Sequence, residues 1–145
     1  MHSFSLMTGG SILILTSDGK KPLYVQIAEW IETEILTGHF NADEKVYSQY
    51  QLADIFNINP ATASKGLNLL VADNILYKKR GLGMFVTTKA AEIILNKRKN
   101  HTLKDLMDEL VVEAAQLNVS EEELISMVRK AVNHGESEGE KNECN

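Results

Sequence analysis

The residues best suited to chemistry run Asn59-Pro60-Ala61-Thr62-Ala63-Ser64-Lys65, at the head of a leucine-rich stretch. Asn59 and Thr62 can bond base edges or phosphates. Ala61 and Ala63 permit close approach and offer a methyl contact to thymine. Ser64 and Lys65 suit phosphate or base contact. Asn59 is a natural helix cap, and Pro60 a natural first helical residue, where a missing N–H costs nothing. The free N–H groups of such a helix start add an anion site for a phosphate. The plainer alternative is that these residues are the exposed face of a surface helix.

A second cluster tilts that balance. Ile75–Lys79 and Met84–Thr88 are β-prone runs flanking Arg80-Gly81-Leu82-Gly83. They form a hairpin whose glycine-containing tip carries Lys78, Lys79 and Arg80. Cations on a thin hairpin suit a minor groove or a phosphate backbone.

The surrounding pattern supplies elements to position both clusters. Leu23, Ile27, Ile31 and Ile35 repeat every four residues after Pro22, which predicts an amphipathic helix ended by Gly38. Trp30 and Tyr24 on this helix are packing residues. Residues 41–48 form a polar connector. Ser48 caps a short helix, with Leu52, Ala53 and Phe56 facing inward. After the break at Asn57-Ile58-Asn59, Leu67, Leu70 and Val71 bury the next helix. Helix, short helix, tight turn, helix and hairpin is the order of a winged helix-turn-helix. Gly66 lies inside the third helix at a cost of about 1 kcal/mol relative to alanine. It serves close approach, either between helices or to DNA.

From Lys89 the pattern is helical. Leu103, Leu106, Met107, Leu110, Val111, Ala114 and Leu117 form one apolar stripe. Thr102 either caps this helix or lies within one running unbroken from Lys89. Ser120 and Glu123 form a capping box for a last helix, with Leu124 and Val128 on its buried face. Gly135 is expected to stop it. Two such helices cannot bury their apolar faces alone, and a two-fold axis buries the same stripe twice. The fold expected is mainly α with a small β-hairpin. Residues 1–17 form an N-terminal extension, 18–88 the winged helix-turn-helix, 89–135 a two-helix dimerisation region, and 136–145 a disordered tail.

Composition narrows the function. The 145 residues are 43% hydrophobic, enough for a core. Net charge is −5, but it is unevenly spread. Residues 18–99 hold eleven Lys/Arg against nine Asp/Glu, and residues 101–145 four against eleven. A slightly basic part inside an acidic chain permits a nucleic-acid face. The single cysteine, Cys144, builds neither a disulfide framework nor a zinc cluster, and fits a cytoplasmic setting. His2, His39, His101 and His134 lack ligand spacing. Acidic runs such as Glu121–Glu123 read as solvated helix faces. No stretch reaches the roughly 18 apolar residues of a membrane span. No metal, cofactor or enzyme activity is expected.

Residues 21–88 resemble the winged helix-turn-helix of the GntR superfamily of bacterial transcription regulators. The resemblance rests on Pro22–Ile27 (Pro-Leu-Tyr-x-Gln-Ile), Leu52-Ala53, and Arg80–Val86 (Arg-Gly-x-Gly-x-Phe-Val). The Asn-Pro-x-Thr start of the third helix and the short two-helix C-terminal region are similar to the YtrA-type subfamily. The resemblance implies DNA contacts from Ser48, Gln49, Tyr50, Asn59, Pro60, Ala61, Thr62, Ser64, Lys65, Lys79, Arg80, Gly81 and Gly83. It implies dimerisation through the C-terminal helices. Three positions depart from the superfamily pattern. Tyr50 stands where a phosphate-contacting arginine is usual, and Pro60 and Ser64 where arginines are common. Each lost phosphate contact lowers affinity and flattens its salt dependence.

The function expected is a dimeric, sequence-specific DNA-binding regulator, a repressor acting on double-stranded DNA at a palindromic operator. The alternative is a winged-helix protein–protein module that has lost DNA binding. The residues name no small-molecule effector.

Overall fold

The computed structural model of the chain describes residues 4–8, 11–15 and 21–143, with side chains from 21 to 135. The chain divides between Arg98 and Lys99 into two compact units.

The first unit opens with a hairpin of β1 (Phe4–Thr8) and β2 (Ser11–Leu15), paired antiparallel with Thr8 opposite Ser11. The apolar run Ile12–Leu15 lies in β2. Its partner comes from the opening segment, which shows no periodicity.

Helix α1 (Leu23–Leu36) begins directly after Pro22. It is the centre of the core. Ile27, Ala28, Trp30, Ile31 and Ile35 are all buried. Trp30 stacks on Tyr47 and meets Phe56 edge-on, with centroids 6.1 and 5.0 Å apart. Burial on several sides also encloses two carboxylates, Glu32 and Glu34. His39, just past the helix end, sits with Nδ1 3.2 Å from Glu34.

Helix α2 (Gln49–Phe56) is capped as expected by Ser48. Its hydroxyl accepts from the Gln51 N–H at 3.1 Å, and the Gln51 side chain accepts from the Ser48 N–H at 2.9 Å. These reciprocal bonds satisfy two N–H groups at the helix start. Leu52, Ala53 and Phe56 are buried. Asn57 ends α2 in the left-handed region, at φ 52°. Asn59 then caps α3 (Pro60–Ala72), with Pro60 as its first residue. Ala63, Gly66, Leu67 and Leu70 recur at the three- and four-residue spacing of one helix face and are all buried.

Strands β3 (Leu76–Lys79) and β4 (Gly83–Val86) form the wing, with Leu76 opposite Val86 and Lys79 opposite Gly83. The connector before α2 adds a single β-bridge to β4. The Asp43 and Val46 N–H groups donate to the Val86 and Met84 carbonyls, at 2.8 and 3.0 Å. The Val86 N–H donates to the Glu44 carbonyl at 3.0 Å, and Lys45 lies opposite Phe85.

Helix α4 (Ala90–Lys97) packs into this first unit, burying Ala90 and Ile94. Its sequence groups it with the later helices, but its apolar face is short and the first unit covers it. Lys97 bridges Glu32 and Asp73, at 3.2 and 3.1 Å. Arg98 donates to the Glu29 carbonyl and the Thr33 hydroxyl, at 2.9 and 3.0 Å. Burial raises the Glu32 carboxyl above its ordinary range, opposed by Lys97 and Arg98.

A wide π-helical turn, Arg98–Thr102, leads to α5 (Leu103–Gln116). The backbone is thus helical throughout 90–116, and Thr102 is helical rather than a cap. Helix α6 (Glu121–Glu143) follows, with the Glu123 N–H donating to the Ser120 hydroxyl at 3.2 Å. Two expectations need correction. Gly135 does not stop α6, and most of the tail expected to be disordered is helical. Glycine lowers helix propensity without forbidding a helix, and the glutamates and lysine beyond it are good helix formers.

The second unit leaves an apolar face uncovered. Leu103, Leu106, Met107, Leu110 and Val111 are exposed, and of the expected stripe Ala114 is buried. Leu124 is half-buried and Val128 exposed.

Gly66 allows α3 to cross α1 closely. A Cβ at 66 would lie 2.8 Å from the Tyr24 carbonyl oxygen, a backbone atom that cannot swing aside. Overpacking typically costs about 1–3 kcal/mol, against about 1 kcal/mol gained in helix propensity. Gly66→Ala is therefore expected to lower the thermal midpoint. Gly135→Ala, with open space around it, should not. Equal midpoints for the parent and Gly66→Ala would refute the close-approach role.

Candidate nucleic-acid interface

The start of α3 is organised by its own cap. The Asn59 side-chain oxygen accepts from the Ala61 N–H at 2.9 Å. The Thr62 and Ala63 N–H groups reach the Asn59 carbonyl at 3.0 and 3.3 Å. The phosphate site expected from free N–H groups at this helix start is thus taken up by the cap. Ala63 also departs from expectation. It is fully buried in the core and offers no methyl to a partner.

Ala61, Lys65 and Asn68 are exposed, and Pro60, Thr62 and Ser64 are half-buried. Asn68 was not singled out from sequence. Its side-chain amide donates to the Ser64 hydroxyl at 3.5 Å, extending the polar face by a turn. The three- and four-residue spacing of Ala61, Ser64, Lys65 and Asn68 was the signal for it. Lys65 is steadied by α1, with its ammonium 4.1 Å from the centroid of the Tyr24 ring. A cation over an aromatic face is attracted by the ring quadrupole. The tyrosine of the Pro-Leu-Tyr segment thereby orients a recognition-helix lysine.

On α2, Ser48 is committed to the capping box and Gln49 is half-buried. Tyr50 is the most exposed of the three, at 67%.

The wing turns at Arg80-Gly81-Leu82, where the Leu82 N–H donates to the Lys79 carbonyl at 3.0 Å. Gly81 and Gly83 adopt φ of 78° and 118°, which L side chains rarely take. Tyr77 and Phe85 stack across the strands, with centroids 5.8 Å apart. Lys79 lies over that platform, 4.5 Å from the Phe85 centroid. The Tyr77 hydroxyl donates to Asp43 at 2.8 Å, and this bond raises its pKa above the ordinary phenol value.

Lys45 was read from sequence only as part of a polar connector. Its stem crosses Gly83, with Cε 2.8 Å from where a Cβ would stand. The space at Gly83 is therefore filled by this side chain. Among the described residues Lys45, Lys78, Lys79 and Arg80 have no carboxylate within ion-pair distance. Lys21, Lys97, Arg98 and Lys104 each do. The wing and its connector thus gather four cations that have no carboxylate partner among the described residues, and neither have Lys65, Lys89, Lys99, Arg129 and Lys130 elsewhere.

Among the described residues no cluster of His, Cys, Asp or Glu is arranged to hold a metal, and no helix is long and apolar enough to cross a membrane.

Comparison with known proteins supports this geometry. Residues 23–86 match the model of the bacterial regulatory proteins of the gntR family. The chain is 34% identical over 71 residues to the transcriptional repressor NagR of Bacillus subtilis, covering 49% of this chain but 29% of that protein. It is 27% identical over 109 residues to the repressor YtrA of the same organism, covering 75% of this chain and 83% of that one. Among solved structures, a GntR family transcriptional regulator from Listeria monocytogenes superposes with a TM-score of 0.63 at 32% identity. That match covers 78% of this chain and 97% of the other. A winged helix-turn-helix matched along nearly the whole of a GntR regulator places the chain in the GntR family of DNA-binding transcriptional regulators, which are not enzymes.

Proposed function

We propose that the chain is a cytoplasmic, homodimeric transcriptional repressor of the YtrA type that binds an inverted-repeat operator. The observation that carries this reading is the pairing of two surfaces in one small domain. One is the short, polar outer face of α3, with Ala61, Thr62, Ser64, Lys65 and Asn68. The other is a wing whose cations have no carboxylate partner among the described residues. In a helix-turn-helix the N-terminal part of the second helix meets base edges in the major groove, and phosphate contacts fix its register. Short side chains at Ala61, Thr62 and Ser64 allow that approach. Arg80 and Lys79 supply the cations on the wing.

The repressor sign follows the relatives NagR and YtrA, both named as repressors. The dimer follows from α5. Leu103, Leu106, Met107, Leu110 and Val111 stand between 43% and 57% exposed in the single chain. A contiguous apolar face of this kind marks an association surface. A second copy offers the same stripe, so a two-fold axis covers both. Two recognition helices related by that axis require half-sites about one helical turn, roughly 34–36 Å, apart.

Two measurements test the reading. The first is titration of a selected operator duplex across a salt series. Affinity should fall steeply with salt for the parent. It should be weaker, with a slope shallower by about two, for Lys79→Ala/Arg80→Ala. If selection from random duplexes yields no motif and the substitutions change nothing, the surface serves a protein partner instead. The second is sedimentation equilibrium. The parent should be a dimer and Leu106→Glu/Leu110→Glu a monomer of unchanged helix content. A monomeric parent would remove the dimer.

A further inference from the structure

We infer that Lys45, on the connector before α2, is a DNA-backbone contact of the wing. It binds a phosphodiester beside the hairpin tip. The inference rests on the regulator reading above and assigns a residue that no motif in the sequence marks.

The backbone at Lys45 is fixed. Flanking bonds from the Asp43 and Val46 N–H groups, at 2.8 and 3.0 Å, zip the connector onto β4 with Lys45 opposite Phe85. Residues opposite one another share a face of the sheet, and side chains alternate along a strand. Lys45, Phe85 and Gly83 therefore share one face, together with Tyr77 and Lys79 across the hairpin.

The side chain is aimed as well. Instead of extending freely, its stem lies across Gly83, with Cε 2.8 Å and Nζ 3.6 Å from the position of a Cβ. The absence of a Cβ leaves the stem that path, and at φ 118° only glycine takes that backbone readily. Lys45 is thus carried diagonally along the sheet towards the tip.

Among the described residues the Lys45 ammonium has no ion-pair partner. The neighbouring Glu44 carboxylate accepts from the Asn41 side chain at 3.0 Å. Asp43, on the same face, accepts from the Tyr77 hydroxyl. Among the described residues neither forms an ion pair with Lys45. One wing face therefore presents two ammonium groups, Lys79 over the Phe85 ring and Lys45 beside Gly83, neither paired with an anion among the described residues. A phosphate strand supplies that anion, and a lysine on a flexible stem suits it as a point charge. The contact also offsets the missing arginine at Tyr50.

The test uses the full chain and its selected operator duplex. Lys45→Met keeps the stem over Gly83 and removes the charge. Lys45→Arg keeps the charge. Lys45→Met should weaken binding about three- to tenfold at moderate salt and flatten the log–log salt slope by about one, equally across operator variants. Its thermal midpoint should stay that of the parent, and Lys45→Arg should restore affinity and slope. Parent-like affinity and slope for Lys45→Met would overturn the contact while leaving the regulator reading intact. Failure of the parent itself to bind any selected duplex would remove both.

Discussion

The crossing of α3 over α1 at Gly66 is the constraint on which the rest of the first unit depends. The Tyr24 carbonyl stands where any larger residue at 66 would place its Cβ. That closeness lets Ala63, Leu67 and Leu70 meet Ile27 and Ile31 in one core. Burying each large aliphatic side chain contributes about 1.5–3 kcal/mol. The same approach brings the Tyr24 ring beneath Lys65. One glycine therefore sets both the core packing and the placement of a recognition-helix cation.

The far end of α3 is held electrostatically. Asp73 ends the helix, and its carboxylate shares the Lys97 ammonium with buried Glu32. A buried carboxylate is tolerated when it is paired and hydrogen-bonded. Lys97 and Arg98 meet that condition from the end of α4, where Arg98 also engages the Glu29 carbonyl and Thr33. Helix α3 is thus fixed at two points, sterically near its middle and by charge at its end. Its outer face is left to short polar residues that take no part in the core.

Local signals in the sequence were legible, and those depending on distant partners were not. Asn59-Pro60 marked a helix start because cap and first-residue preferences are short-range. Ser48 and the four-residue repeat of α1 were readable for the same reason. Ala63 was misplaced because a small residue does not declare which face it occupies. The phosphate site at the α3 start was misjudged because a capped turn uses its own N–H groups. The burial of Glu32 was not legible, because its partner Lys97 lies 65 residues away. The bridge at Lys45 sits in a short, polar connector, and only its pairing with β4 reveals it. Lys45 went unnoticed for that reason.

Substitution of arginine by Tyr50, Pro60 and Ser64 makes the second unit more important on the proposed reading. Each arginine absent from a half-site removes a phosphate contact and weakens that half. Joining two weak halves makes the second binding event intramolecular, so overall affinity exceeds either half without new contacts. The apolar face of α5 provides such a joint. A wing that recruits Lys45 raises the affinity of each half by a different route, through a cation lying outside the recognition helix. Charge at the wing and pairing through α5 are then two complementary answers to one deficit. Both leave the recognition face of α3 free to carry short side chains, with Lys65 as its one charge, close to the base edges.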